Sequence, residues 1–245
     1  MNRLWIKPYG AGPQALVLLH GWGFDSQVWT PLLPQLTQHF TVYLVDLPGF
    51  GDSEVMDWLT FKSHLLPALP ETFGALGWSL GGLYAMRLAI EHGDRVKQLI
   101  SVGSAPRLLA EPGWPLMPIE SVEGFSTRML QEPMKTLENF LRVQAPHQRV
   151  TFSPKRSLKP LALEAGLSLL KTWDLRDELS HLPSACFMFG RLDKIVPISA
   201  CEVMKRRYPH FHYAVFNRAG HAPFLSHPAE FLEALMGYCK AEEAL

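Results

Sequence analysis

In Phe73-Gly74-Ala75-Leu76-Gly77-Trp78-Ser79-Leu80-Gly81-Gly82, an apolar run of strand length, Phe73 to Trp78, ends at a serine. A helical stretch continues from Leu80 to His92 and is closed by Gly93. A strand that turns straight into a helix at one residue holds that residue in a strained backbone conformation, with its side chain projecting above the sheet. The positions two residues either side must then be small, and Gly77 and Gly81 are; Gly82 adds room. A tight glycine turn without chemistry can show the same five letters, G-x-S-x-G. The strand before and the helix after argue for an exposed nucleophile at Ser79. The helix also directs its positive end and the free N–H of Leu80 toward any carbonyl oxygen under attack.

Outward from this turn the chain alternates strand and helix. Ala15–Leu19 (ALVLL) and Thr41–Val45 (TVYLV) are short apolar runs of the kind buried on both faces of a sheet, and Asp25–Gln38 between them carries helix-spaced Val28, Leu32 and Leu36. Further strands are predicted at Val96–Val102, Ala185–Phe189 and Tyr213–Phe216, with helices at Ile198–Tyr208 and Ala229–Tyr238. This order implies a mainly parallel central sheet flanked by helices, the α/β-hydrolase fold once the serine turn is included. Between about Pro106 and Pro183 the alternation stops. Prolines from Pro112 to Pro160 there punctuate amphipathic stretches around Thr127–Val143 and Leu161–Trp173. We read residues 106–183 as a helical cap inserted between two strands of a core formed by residues 1–105 and 184–245, placed over the strand ends where open α/β sheets bind ligands.

A serine hydroxyl needs a neutral imidazole to take its proton, and the imidazole needs a carboxylate to fix its tautomer. In this fold the chain order is serine, acid, histidine. Of ten histidines, His221 follows the last strand, in Arg218-Ala219-Gly220-His221-Ala222-Pro223; His227, beside Pro228, is placed near the following helix. Asp193, in Gly190-Arg191-Leu192-Asp193-Lys194, follows the strand ACFMF, whereas Asp174 and Asp177 precede it in a charged segment. Asp46 and Asp52 belong to a Gly/Pro turn. His20-Gly21-Trp22-Gly23 follows ALVLL, where the second oxyanion donor arises, so the backbone N–H of Trp22 joins that of Leu80. His20 is assigned a structural hydrogen-bonding role.

Composition narrows the rest. Lys plus Arg and Asp plus Glu both number 23, so no global field draws the chain to nucleic acid or an anionic membrane. The apolar runs are too short for a membrane helix, and the N-terminus has no signal-peptide core. Cys186, Cys201 and Cys239 are widely spaced, which suits a reducing cytoplasm and no structural metal, and no motif for a metal, nucleotide or flavin cofactor is present.

These residues together resemble one family, the pimeloyl-acyl-carrier-protein methyl ester esterases of biotin biosynthesis. The similarity runs through LVLLHGWG (16–23), VDLPGFG (45–51), LGWSLGGL (76–83), LKTWDLR (170–176) and HAPFLSHPAEF (221–231), and weakens between Ser53 and Phe73 and after Gln144. It implies a monomeric cytoplasmic carboxylesterase that removes a methyl group from a pimeloyl chain on acyl-carrier protein. It also implies that Trp22, Ser79, Leu80, Phe140, Leu141, Arg142, Val143, Gln144 and His221 contact substrate. Independently, the stretch from Arg142 to Pro160 holds Arg142, Arg149, Lys155, Arg156 and Lys159 and no acidic residue, a local field suited to docking an acidic carrier protein. Two other readings of the chain remain at this point: a broad short-chain esterase or thioesterase, and a hydrolase-fold interaction protein with little turnover.

Overall fold

The computed structural model of the chain describes residues 3–144 and 159–243. Among them one sheet is formed by β1 (Ile6–Tyr9), β2 (Gln14–Leu19), β3 (Phe40–Val45), β4 (Phe73–Trp78), β5 (Val96–Val102), β6 (Cys186–Gly190) and β7 (His212–Phe216). Its spatial order is β1-β3-β2-β4-β5-β6-β7. Every pairing is parallel except β1 with β3.

The central parallel strands β2, β4 and β6 are apolar over most of their length because both faces are covered. Along β2, Leu16 and Leu18 join one core cluster while Val17 and Leu19 join the other. The same split separates Phe73 and Ala75 from Leu76 and Trp78 in β4, and Phe187 and Phe189 from Cys186 and Met188 in β6. A period of two set between two apolar layers is what a buried parallel strand requires. β1 was not expected. It is four residues long, carries Pro8 and pairs on one side only, so it has neither length nor alternation to show, and its proline is tolerated because the strand is an edge.

The helices are α1 (Leu33–Leu36), α2 (Trp58–Leu65), α3 (Leu80–Glu91), α4 (Ile119–Gln131), α5 (Pro133–Gln144), α6 (Pro160–Thr172), α7 (Arg176–Leu179), α8 (Ile198–Arg207), α9 (Pro223–Ser226) and α10 (Pro228–Glu243). Two differ instructively from expectation. The helix expected over Asp25–Gln38 is a 3-10 segment, Ser26–Leu32, followed by the single turn of α1. Pro31 and Pro34 each remove a backbone donor from this stretch, and Asp25 caps it by accepting from Gln27 N at 3.0 Å. The amphipathic stretch Thr127–Val143 is likewise broken at Glu132, and α5 restarts on Pro133, whose fixed φ suits a first helical position.

Helices α4, α5 and α6 lie between β5 and β6 in the chain. Val122, Met129, Ala162, Leu163, Leu167 and Leu170 from α4 and α6 share the same core cluster as α3. The two ends of this insertion are tied together: Leu175 N donates to Pro106 O at 2.9 Å, and Arg107 and Arg176 both pair with Asp174 and Glu111. Asp174 is therefore occupied at the neck of the insertion, and Asp177 pairs with Arg207.

Candidate active site

Ser79 sits between β4 and α3 with φ 55° and ψ −117°, and is the single non-glycine residue of positive φ among those described. Such a conformation costs on the order of 1–3 kcal/mol and persists only where the surroundings enforce it. Here Ser79 N donates to Val102 O at 2.9 Å, and Gly82 N donates to Ser79 O at 2.9 Å. The flanking glycines are sterically required. A Cβ on Gly77 would lie 2.0 Å from Gly81 O, and one on Gly81 would lie 2.2 Å from Leu19 O. Leu80 opens α3, so its N–H has no partner within the helix.

Asp193 and His221 meet on adjacent loops after β6 and β7. His221 Nδ1 donates to Asp193 Oδ2 at 2.7 Å, and both side chains are wholly buried. The other carboxylate oxygen, Oδ1, accepts the backbone N–H groups of Ile195 at 2.8 Å and Val196 at 3.0 Å. That arrangement fixes the carboxylate, and through it the tautomer that leaves Nε2 of His221 unprotonated. Nε2 is buried and has no hydrogen-bond partner among the described residues. The two loops are drawn together by Arg191 N to Phe216 O and Leu192 N to Ala219 O, at 3.0 and 2.9 Å. His227 lies apart, at the end of α9, with Nδ1 on Ser226 Oγ.

His20 is also fully buried, but both its nitrogens are engaged: Nδ1 donates to Gly21 O at 2.8 Å and Nε2 accepts from Leu47 N at 2.9 Å. Burial lowers its pKa against the opposing pull of Asp46, keeping it neutral. Asp46 in turn organises the turn after β3, accepting from Ser26 N and Asp52 N at 2.8 and 2.9 Å. Both residues hold the loops in place.

Above Ser79 lies a cavity of about 630 Å³, within the range of small-molecule pockets. Trp22, Leu108, Val122, Phe125, Phe140 and Leu167 supply apolar wall. The exposed residues Arg128, Glu132, Lys135 and Lys194 line the same cavity, so its mouth is polar and carries more positive than negative charge. Phe140 joins this wall to the buried imidazole: its ring centroid is 5.4 Å from Phe125 and 6.4 Å from His221.

Of the remaining residues singled out in the sequence, Arg142 is exposed and donates to Asn139 Oδ1 at 2.9 Å. Lys159 spends its ammonium on the carbonyls of Gly51 and Ser53, at 3.3 and 2.9 Å. The side chains of Leu141, Val143 and Gln144, and the whole of Arg149, Lys155 and Arg156, lie outside the described residues. Sequence reasoning missed Arg128, Lys135 and Lys194, because nothing local marks a surface cation as lining a pocket built from distant elements. It also missed Gly103. This glycine has φ +52°, and a Cβ there would fall 3.0 Å from His221 Nδ1, so a smaller neighbour is needed exactly where the imidazole is held. Trp78, the first variable residue of the serine motif, supports His221 directly by donating from Nε1 to His221 O at 2.8 Å.

Comparison with known proteins agrees with this architecture. A profile of the alpha/beta hydrolase family matches residues 16–234. The chain is 43% identical over 236 residues to a pimeloyl-[acyl-carrier protein] methyl ester esterase of Legionella pneumophila, covering 96% of this chain and 98% of that one. It is 38% identical over 250 residues to the protein of the same name from Citrobacter koseri, with 96% and 98% covered. Among solved structures, an esterase from Exiguobacterium antarcticum superposes with a TM-score of 0.81 at 25% identity, covering 98% of this chain and 96% of that one. A bromoperoxidase from Bacillus anthracis superposes at 0.84 with 22% identity, covering 98% and 96%, which is a likeness of fold. The chain belongs to the alpha/beta hydrolase family and, within it, to the pimeloyl-[acyl-carrier protein] methyl ester esterases.

Proposed function

We propose that this protein hydrolyses the methyl ester at the end of a pimeloyl chain carried on acyl-carrier protein, releasing methanol, as a step of biotin biosynthesis. The observation that carries the reading is the strained Ser79 opening on an apolar-walled cavity, together with a buried His221–Asp193 pair whose Nε2 has no hydrogen-bond partner among the described residues.

The chemistry runs in two halves. His221 Nε2 takes the proton of Ser79 Oγ as that oxygen attacks the ester carbonyl. Asp193, fixed by two backbone N–H groups, stabilises the imidazolium. The backbone N–H groups of Leu80 and Trp22 hold the oxyanion. Collapse breaks the bond to the methoxy oxygen, which receives the proton from His221 and departs as methanol. Water, deprotonated by the same histidine, then attacks the acyl-serine and frees the carboxylate.

The apolar wall suits a methylene chain, and the cations Arg128, Lys135 and Lys194 at the mouth suit the acidic carrier and the phosphate of its prosthetic arm. Arg142, bonded to the cavity-lining Asn139, adds a further exposed cation from α5, and these residues together are the proposed docking face; Lys159, held by the carbonyls of Gly51 and Ser53, is not counted among them. The same reading makes the protein a monomer of the cytoplasm. Its three cysteines are buried, and no helix among the described residues is long and apolar enough to cross a membrane.

The test is methanol release by purified wild-type and Ser79→Ala protein. The variant is expected to fall to background while still binding the carrier-bound ester. Retained turnover would remove Ser79 from the mechanism.

A further inference from the structure

Gly166 stands in the middle of α6, where glycine weakens a helix and neither a turn nor a positive φ calls for it. Contact calls for it. A Cβ at this position would fall 2.5 Å from Cδ1 and 3.0 Å from Nε1 of Trp22, and 3.4 Å from Cδ2 of Leu80. The helical glycines Gly124 and Gly237 show no such crowding: one meets only the end of an arginine at 3.4 Å, the other nothing within 4 Å. Three residues before Gly166 along α6, Leu163 O accepts a hydrogen bond from Trp22 Nε1 at 2.9 Å. Phe125 of α4 packs against the same indole, with ring centroids 5.3 Å apart.

We infer that Gly166 is a positioning residue for the oxyanion hole, and that α6 holds the catalytic geometry as well as walling the cavity. Trp22 lies between Gly21 and Gly23, and Gly23 has φ +79°, so its backbone has unusual local freedom. A backbone donor is effective only when it is fixed before charge develops. The indole supplies that fixity: hydrogen-bonded to Leu163 O and pressed against the bare backbone of Gly166, it anchors the Trp22 main chain from the side-chain end. Gly166 also borders Leu80, so one missing methyl group lets the inserted helix close on both donor residues. The inference rests on Trp22 and Leu80 being the oxyanion donors.

The experiment compares Gly166→Ala, Trp22→Phe and Trp22→Ala, alone and combined, on p-nitrophenyl acetate and on dimethyl pimelate. Acetate is too short to need the acyl wall. Gly166→Ala is expected to lower kcat on both esters by the same factor, on the order of tenfold to a hundredfold, because the nearest obstacle is a hydrogen-bonded ring that must move. KM should change by less than about threefold, and Tm should fall by no more than a few degrees, since the gain in helix propensity offsets part of the cost of shifting the ring. Trp22→Phe, which keeps a ring but loses the bond to Leu163, should lower kcat in the same direction. In the Trp22→Ala background the obstacle is gone, so adding Gly166→Ala should change kcat by less than about twofold. A Gly166→Ala protein with normal kcat on the acetate ester and a raised KM for dimethyl pimelate would reduce Gly166 to a wall of the acyl site. Equal factors in both Trp22 backgrounds would also overturn the inference. Failure of the hydrolase reading itself would show differently, as turnover surviving Ser79→Ala.

Discussion

Replacing Asp193 with asparagine changes one atom of the site and reverses the role of its neighbour. Oδ1 of Asp193 already accepts two backbone N–H groups, from Ile195 and Val196, and an asparagine oxygen can keep both. Its amide nitrogen is then the atom facing His221 Nδ1, across what is now a 2.7 Å bond between two wholly buried side chains. Two donors cannot share that contact, so the imidazole takes the other tautomer, with its proton on Nε2 and its lone pair on Nδ1. A protonated Nε2 cannot accept from Ser79. The expected loss in kcat is about 10⁴-fold, or about 5.4 kcal/mol of transition-state stabilisation, with KM little changed. No buried group loses its partner, so the fold should lose only about 1 kcal/mol, roughly 2–4 °C in Tm for a chain of this size. Steady-state kinetics on a p-nitrophenyl ester, beside a thermal melt, reads both numbers. A folded Asp193→Asn protein that loses less than about tenfold in kcat would refute the argument that this carboxylate sets the tautomer of the base.

Other consequences follow from the same structure. Gly81→Ala places a methyl group 2.2 Å from Leu19 O and 2.6 Å from His20 O, both backbone atoms, and should cost more than about 3 kcal/mol; an unchanged melting temperature would contradict the packing of the serine turn. Because burial lowers the pKa of His20 in the fold, the unfolded chain binds the extra proton below about pH 6.5. Stability therefore rises with pH through that range, and urea unfolding at about pH 5.5 should give a lower free energy than at about pH 7.5, whereas a flat profile would speak against a buried neutral imidazole. Burial alone would raise the Glu91 carboxyl, but hydrogen bonds from Lys62, Arg87 and Trp58 outweigh it and hold the group at about 2. The stability it lends is present above its ordinary value of 4.5 and lost as pH falls toward about 2, so Glu91→Gln should cost about 0.5–1 kcal/mol near neutrality and nothing in strong acid.

The centre of the fold was legible because its signals are local. β4 and Ser79 carry strand, candidate nucleophile and both clearance glycines within consecutive residues, and β2 and β3 announce burial by nearly continuous apolar runs. Element edges were set by residues that periodicity overlooks, as where Pro31 and Pro34 shorten α1 and Pro133 restarts α5. The site was legible only as far as its loops follow strands. Asp193 and His221 could be placed by chain order, but Gly103 and Trp78, which fit against His221, and Gly166, which fits against Trp22, depend on contacts across the chain that no spacing encodes. Arg128 and Lys135 look like any helix surface until α4 and α5 are folded over the cavity.

The most direct test of the proposed activity is kcat/KM for methanol release from pimeloyl-acyl-carrier-protein methyl ester, measured beside free monomethyl pimelate and a short p-nitrophenyl ester across a range of ionic strength. A cavity with an apolar wall and a basic mouth predicts a preference for the carrier-bound ester of at least about tenfold, shrinking as salt rises. Comparable rates on all three, indifferent to salt, would contradict the carrier-bound substrate and leave a general carboxylesterase.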